Sequence, residues 1–293
     1  MPQWKSDPLS DGVTIAEALR KAAARLESSS DTARLDAELL LAHALGQSRS
    51  DILLASRDAL ADSKLDLFAR LVDRRAVHEP VAYITGMQEF FGLPFAVAPG
   101  VLIPRADSES VVQAALDEAP SNARVLDCGT GPGTLLLTFL AQRPAATGIG
   151  IDASPIALGI AATNCEALGM TGRAQFLKRD WTQAGWTDQL GTFDLILANP
   201  PYVEDAADLA PDVRDFEPSE ALFAGPDGLD DYRVLIPFLP ALLTANGVAV
   251  LEIGATQHEK VEKIAAESGL SARICHDLGG RPRACVLRLG LGK

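Results

Sequence analysis

The chain has no run of about 18 uninterrupted apolar residues, the length a membrane-spanning helix requires, although 47% of its 293 residues are hydrophobic. Its first residues, Met1 to Gly12, carry charges and prolines but no apolar core, so neither a signal peptide nor a membrane anchor is expected. Four cysteines, Cys128, Cys165, Cys275 and Cys285, are scattered. They lack the CxxC spacing of a metal site and the density of a disulfide framework. These absences predict reduced thiols, no bound metal, no membrane partner and a cytoplasmic protein. Internal repeats and low-complexity segments are missing too. Basic charge is also scarce: 26 Lys and Arg face 39 Asp and Glu, a net charge of −13. A surface for free duplex DNA needs clustered Lys and Arg to replace phosphate counterions, so free nucleic acid is not an expected partner.

The deficit is uneven. Residues 1–80 hold 13 acidic and 11 basic groups, leaving 26 acidic and 15 basic for the remainder. Residues 204–231 contain ten acids against the single Arg214. That stretch reads either as a solvated loop or as an attraction for a partner with a basic surface.

A chain of this length holds one large or two modest domains. The first eighty residues have helical periodicity. Thr14 with Glu17 makes a capping-box signature ahead of Ile15, Ala18, Leu19, Ala22 and Leu26. A second helix runs from about Thr32 to the stop at Gly46, a third begins near Ser48, and a fourth runs from Ser63 through Leu71. After Pro80 the residues Val81, Tyr83, Ile84, Phe90, Phe91, Phe95 and Val97, punctuated by Gly86 and Gly92, predict a β-hairpin linker. From Ile103 strands and helices alternate, among them a helix Thr134 to Gln142, a strand Thr147 to Asp152 and a helix around Asp231 to Leu243. The expected domains are therefore 1–80 helical, 81–102 a hairpin linker and 103–293 an α/β domain. Its expected fold is a doubly wound, mainly parallel sheet.

The ends of the predicted strands carry the chemistry. Strand Arg124–Asp127 runs into Cys128, Gly129, Thr130, Gly131, Pro132 and Gly133, immediately before a helix. Alternate glycines let the backbone turn sharply and approach a ligand closely. The Gly-x-Gly-x-Gly spacing differs from the dinucleotide fingerprint, and Asp127 before it suits an ammonium-bearing ligand better than a pyrophosphate. Asp152 ends the second strand, where a carboxylate accepts ribose hydroxyls or caps the following helix. Asp180 and Trp181 follow the third strand and offer a polar contact and an apolar wall for adenine; Trp181 also fits as core. Together these positions favour an adenosyl nucleoside with a charged tail.

Phe193–Ala198 reads as a buried strand, and Asn199, Pro200, Pro201 and Tyr202 follow it. The prolines stiffen the turn and fix its carbonyls. An amide oxygen, a rigid carbonyl and an aromatic face can hold a planar NH2 group. A plain strand exit would use the same residue types.

The order and spacing of these motifs resemble S-adenosylmethionine-dependent methyltransferases of the release-factor glutamine methyltransferase family, the HemK type. The resemblance covers nearly the whole chain. It runs through Asp36 to Gly46, Pro80 to Gly86, Glu89 to Phe95, Leu102 to Arg105, the glycine loop, Asp152, Asp180 with Trp181, and Asn199 to Tyr202. It continues with Glu217 and Pro218, Gly225 to Leu229, Glu252 to Gly254 and Gly280 to Arg283. It implies a seven-stranded class I methyltransferase sheet with an N-terminal substrate-recognition bundle.

The implied cofactor is S-adenosylmethionine, with S-adenosylhomocysteine as product, held by Asp127, Gly129, Thr130, Gly131, Pro132, Gly133, Asp152, Asp180, Trp181 and Asn199. The implied reaction is N5-methylation of the glutamine in the Gly-Gly-Gln loop of peptide chain release factors. Asn199, Pro200 and Tyr202 would be catalytic, Pro201 would join them in binding substrate, and the enzyme would be a monomer. Two other planar amides or amines fit the tetrapeptide: a ribosomal-protein glutamine and the exocyclic amine of a nucleobase. The chain departs from the family at Ala106 and Ser108, where Pro and Thr are usual, at Cys128, where an aliphatic residue is usual, and at Pro132, often Ser or Thr. Ala106 relaxes the segment after Arg105, and Pro132 removes one N–H from the glycine loop.

Overall fold

The computed structural model describes residues 12–290, so nearly all of the Met1 to Gly12 segment lies outside the described residues. The chain divides into two compact units. The first comprises the described residues up to Gly86 together with Leu209–Phe216; the second comprises Met87–Asp208 and Glu217 onward.

In the first unit, α1 (Ile15–Leu26) starts where the Thr14 hydroxyl accepts the Glu17 N–H at 3.2 Å. Helix α2 (Ala33–Leu45) stops at Gly46, whose φ of 68° is cheap only for glycine. A reciprocal Ser48–Asp51 capping box opens α3 (Arg49–Leu54), and α4 (Asp62–Arg75) follows. Leu19, Leu26, Leu40, Leu41, Ile52 and Phe68 are fully buried between these helices.

Asp36 and Arg75 form a buried ion pair at 2.6 Å, and the hydroxyls of Ser30 and Thr32 donate to the same carboxylate. Loss of one partner would leave an uncompensated buried charge, a cost of about 3–5 kcal/mol. The sequence pattern predicts a hairpin arm from Val81. Val81–Thr85 is instead a one-turn helix, α5, with Pro80 before it and Gly86 at φ 76° after it. Proline at a start and glycine at a stop outweigh the β-propensity of so short a run.

The second unit opens with an antiparallel hairpin, β1 (Met87–Phe90) and β2 (Leu93–Ala96). Its two-residue turn, Phe91 and Gly92, has φ of 53° and 76°, as a tight hairpin demands. The Glu109 carboxylate accepts the Phe91 N–H at 3.0 Å and holds that unusual backbone.

After a short 3-10 turn at Ala106–Ser108 the order is α6 (Glu109–Glu118), β3 (Arg124–Cys128), α7 (Thr134–Gln142), β4 (Thr147–Asp152), α8 (Pro155–Ala167), β5 (Ala174–Lys178) and β6 (Phe193–Ala198). The short α9 (Pro211–Arg214) belongs to the first unit. Then come α10 (Asp230–Leu235), α11 (Leu239–Leu242), β7 (Leu243–Glu252), α12 (His258–Glu267), β8 (Leu270–His276) and β9 (Pro282–Leu289). One helix was expected from Asp231 to Leu243. Pro237 and Pro240 break it into short pieces, since neither can donate to the helical ladder.

The seven strands run in the order β5-β4-β3-β6-β7-β9-β8. The first five are parallel; β9 is antiparallel to both β7 and β8. Alternate residues of each central strand face opposite layers. Leu126, Ile196, Ala249 and Leu251 pack with Tyr232 and Leu235 of α10 and Val261 and Ala265 of α12. Val125, Leu195, Leu197, Val248 and Val250 pack with Val111 and Val112 of α6 and Leu136 and Phe139 of α7. The expected doubly wound, mainly parallel seven-stranded sheet is present. Its winding reverses between β3 and β6, so the crevice at their carboxyl ends is where such a sheet takes a ligand.

Candidate active site

Pairing of Cys128 with Ala198 puts the glycine loop and Asn199 side by side as they leave the sheet. Pairing of Cys128 with Ile151 brings Asp152 to the other flank of the loop. Gly129 and Thr130 both donate their N–H to the Ile151 carbonyl at 2.9 Å, and Gly131 donates to Asp152 Oδ2 at 2.9 Å. Ser154 donates its N–H to the other carboxylate oxygen at 2.8 Å. Burial raises the Asp152 pKa against these hydrogen bonds.

Gly129, Gly131 and Gly133 have φ of 71°, 55° and 86°. A Cβ on Gly129 would stand 2.9 Å from the Trp181 ring, whereas one on Gly131 would meet nothing within 4 Å. The first glycine is required by packing. The second faces open space.

Asp127 is 1% exposed. Its Oδ2 accepts from Thr130 Oγ1 at 2.7 Å and from the Leu136 N–H at 3.3 Å. Oδ1 is buried with no partner among the described residues. Burial pushes the carboxyl up to about 7. An unpaired buried acceptor costs about 1–3 kcal/mol, so the site favours a ligand that brings a donor, a cationic one most of all.

Trp181 is half-buried and its Nε1–H donates to Asp231 at 2.8 Å, fixing the indole against the loop. Asp180 is held by its neighbour: its Oδ1 accepts from the Thr182 N–H and hydroxyl at 2.9 and 2.6 Å, which holds its carboxyl below the ordinary range.

Pro200 and Pro201 are buried, and Asn199 is partly buried with no hydrogen bond from its side chain to the described residues. Tyr202 is anchored. Its hydroxyl donates to Glu252 Oε1 at 3.1 Å, its carbonyl accepts from Gln257 Nε2 at 2.9 Å, and burial together with the Glu252 charge raises its pKa.

Several supporting residues carry no role in the sequence reading. Asn164 of α8 donates to the carbonyls of Pro132 and Ala96 at 2.8 and 3.1 Å and accepts from the Ala96 N–H at 2.7 Å. It ties the glycine loop to the hairpin. Glu252 and Gln257 brace the tetrapeptide from β7 and the turn after it. Glu252 was visible as one acid closing an apolar strand; a buried Asn in the middle of a helix gives no such signal.

The acidic stretch is not a single solvated loop. Asp215 pairs with Arg214, Glu217 with Arg105, Asp227 and Asp230 with Arg233, Asp212 lies 3.8 Å from Arg75, and Asp231 receives Trp181. Glu204, Asp205, Asp208 and Glu220 are exposed.

Residues 17–86 match the PrmC N-terminal domain family, and residues 119–224 match a methyltransferase domain family. The release factor glutamine methyltransferase of Cereibacter sphaeroides is 41% identical over 278 residues, spanning 94% of this chain and 98% of that one. This chain belongs to the release factor glutamine methyltransferase family. The Rhodospirillum rubrum member is 40% identical over 259 residues, spanning 87% of this chain and 78% of that one. A methyltransferase structure from Pyrococcus furiosus aligns with a TM-score of 0.51 at 15% identity, over 76% of this chain and 98% of that one, and shares the fold. The family expected from the motifs is therefore the family found, and the class I methyltransferase fold accompanies it. No helix among the described residues is long and apolar enough to cross a membrane.

Proposed function

We propose that this chain transfers a methyl group from S-adenosylmethionine to the side-chain amide nitrogen, N5, of the glutamine in the Gly-Gly-Gln loop of peptide chain release factors. It does so as a cytoplasmic monomer, the unit that ends at Gly86 recognising the substrate and the unit that starts with the hairpin at Met87 catalysing. The observation that carries the reading is the free Asn199 amide beside two buried prolines, at the crevice between β3 and β6.

The residues present fit the cofactor. Asp127 Oδ1 is a buried acceptor awaiting a donor, which the ammonium of the methionine tail would bring. The cradle over Gly131 has room for the ligand. Asp152 keeps lone pairs for ribose hydroxyls, since each oxygen accepts one hydrogen bond from the backbone. Trp181 offers the adenine an apolar wall, Asp180 its polar edge, and Gly129, Thr130, Pro132, Gly133 and Asn199 line the remainder. When bound there, S-adenosylmethionine supplies an electrophilic methyl on a sulfonium.

An amide nitrogen is a weak nucleophile because its lone pair is delocalised into the carbonyl. Asn199 Oδ1 and the Pro200 carbonyl each accept one N–H of the substrate amide and orient that lone pair. The Tyr202 ring packs on the amide plane, and Pro201 keeps the turn rigid. Positioning is the main catalytic contribution. As the nitrogen becomes cationic both hydrogen bonds strengthen, a stabilisation of about 3–6 kcal/mol at ~1.5–3 each. The tetrapeptide has no general base, so the proton leaves to water.

Incubation with labelled S-adenosylmethionine and, separately, a release factor, a ribosomal-protein fraction, rRNA and DNA tests the proposal. Label on the release factor alone is expected; label on another acceptor with none on the release factor overturns it.

A further inference from the structure

One fully buried carboxylate, that of Glu252, has no role in the mechanism above yet holds a residue that does. Its Oε1 accepts the Tyr202 hydroxyl at 3.1 Å and its Oε2 accepts the Ser108 hydroxyl at 2.5 Å. Its backbone carbonyl accepts the Tyr232 hydroxyl at 2.8 Å. Pairing with Ala284 brings Arg283 alongside, and Arg283, itself 8% exposed, is paired with Asp107 at 2.8 Å. Arg105, two residues before Asp107, is held by the buried carboxylate of Glu217, which also accepts the Ile103 N–H at 3.1 Å.

Both carboxylate oxygens are taken up by hydroxyls, and the nearby Arg283 charge and these hydrogen bonds work against the burial that raises the Glu252 pKa. A buried charge persists only where it is paired and hydrogen-bonded. A strand end needs no such group for folding, since an apolar residue of similar volume would close β7 at less electrostatic cost. Tyr202 gains a fixed ring: with the hydroxyl held by Glu252 and the carbonyl by Gln257, it has one orientation.

We infer that Glu252 is a positioning residue for methyl transfer, one that fixes the Tyr202 ring against the substrate amide and is itself fixed by the Ser108 hydroxyl. Glu252 touches neither substrate nor cofactor in this assignment. Its effect therefore passes through Tyr202 and belongs in kcat, with little in KM or cofactor affinity. Ser108 stands where the family usually has Thr, another hydroxyl, so the departure keeps the contact.

The inference rests on the proposed glutamine methylation, and a double-mutant cycle in the full chain separates the two. Turnover of a release factor, KM, cofactor affinity and Tm are measured for the unmodified protein, Tyr202→Phe, Glu252→Gln and the double variant. Each single change is expected to lower kcat by roughly ten- to a hundredfold, the scale of one hydrogen bond to a charged group. KM and cofactor affinity should stay within about threefold, and the double variant should be no slower than the worse single one.

Multiplying losses, or a loss confined to cofactor affinity, would overturn the role of Glu252 while leaving the methylation intact. Absence of transfer by the unmodified protein would overturn both. If Glu252→Gln does not fold, Ser108→Ala and Ser108→Thr carry the test. Ser108→Ala should lower kcat in the unmodified background but not in Tyr202→Phe, and Ser108→Thr should retain it. Equal losses from Ser108→Ala in the two backgrounds would refute the inference.

Discussion

The Gly131 amide donates to Asp152 Oδ2 across 2.9 Å, which locks the middle of the glycine loop to the carboxylate at the end of β4. The loop is thus held by its floor, and its upper side is open. Gly131→Ala distinguishes those two surfaces. The new methyl would meet no protein atom within 4 Å, and its φ of 55° lies in the left-handed region that alanine tolerates at a cost of about 1–2 kcal/mol. Thermal unfolding should therefore shift by only a few degrees while cofactor affinity, read by calorimetry, drops tenfold or more. Unchanged affinity would mean that no ligand lies over Gly131.

Gly129→Ala should behave differently, because its Cβ would stand 2.9 Å from the Trp181 ring. The indole is tied to Asp231 and cannot simply turn away. Stability and cofactor affinity should fall together, with a change in tryptophan fluorescence that Gly131→Ala lacks.

Asp127 sets a pH dependence. Its folded pKa of about 7 exceeds the ordinary aspartate value of 3.8, so between those pH values the folded state holds a proton that the unfolded chain has released. Stability of the ligand-free protein from this group is therefore full below pH 3.8 and declines as pH rises toward 7. A cationic ligand favours the ionised form, so cofactor affinity should rise with pH through about 7 and then level. Asp127→Asn should bind more weakly and flatten the profile between pH 6 and 8. An affinity for the unmodified protein that falls with pH would exclude Asp127 as the partner of the ammonium.

Exposed Glu204, Asp205, Asp208 and Glu220 give the acidic stretch its outward charge. With a basic release-factor surface opposite, KM for the release factor should increase several-fold between low and physiological salt, while cofactor affinity barely changes. A salt-independent KM would mean that these four carboxylates attract no basic partner.

The centre of the sheet was legible because strands such as Thr147–Asp152 and Phe193–Ala198 end at polar residues, and these two strands and the helix Thr134–Gln142 have the limits expected of them. The ends of those strands also announced the candidate site, since Asp127, Asp152 and Asn199 break apolar runs with polar groups. What periodicity could not convey was connection at a distance. Asn164 is 68 residues from Ala96 and Glu252 is 144 from Ser108, yet both pairs share hydrogen bonds. Local competition hid the rest: Pro80 and Gly86 fold Val81–Thr85 into a helical turn, and two prolines divide the helix expected before β7. The acids of residues 204–231 looked like one charge run because their arginine partners, Arg105 and Arg233 among them, are identified only by the fold.

Asn199 holds the central claim, that a partly buried amide with no partner among the described residues receives the substrate glutamine. The most direct measurement is single-turnover methylation of a release factor by the unmodified protein and by Asn199→Ala, with cofactor affinity determined for both and the Gln→Ala release-factor loop variant as control. Asn199→Ala should bind cofactor within a few fold of normal yet transfer methyl roughly a hundredfold or more slowly, as expected for loss of one strengthened hydrogen bond and its positioning. Label should appear on the loop glutamine and never on the control. Near-normal transfer by Asn199→Ala, or equal labelling of the control, would contradict the account.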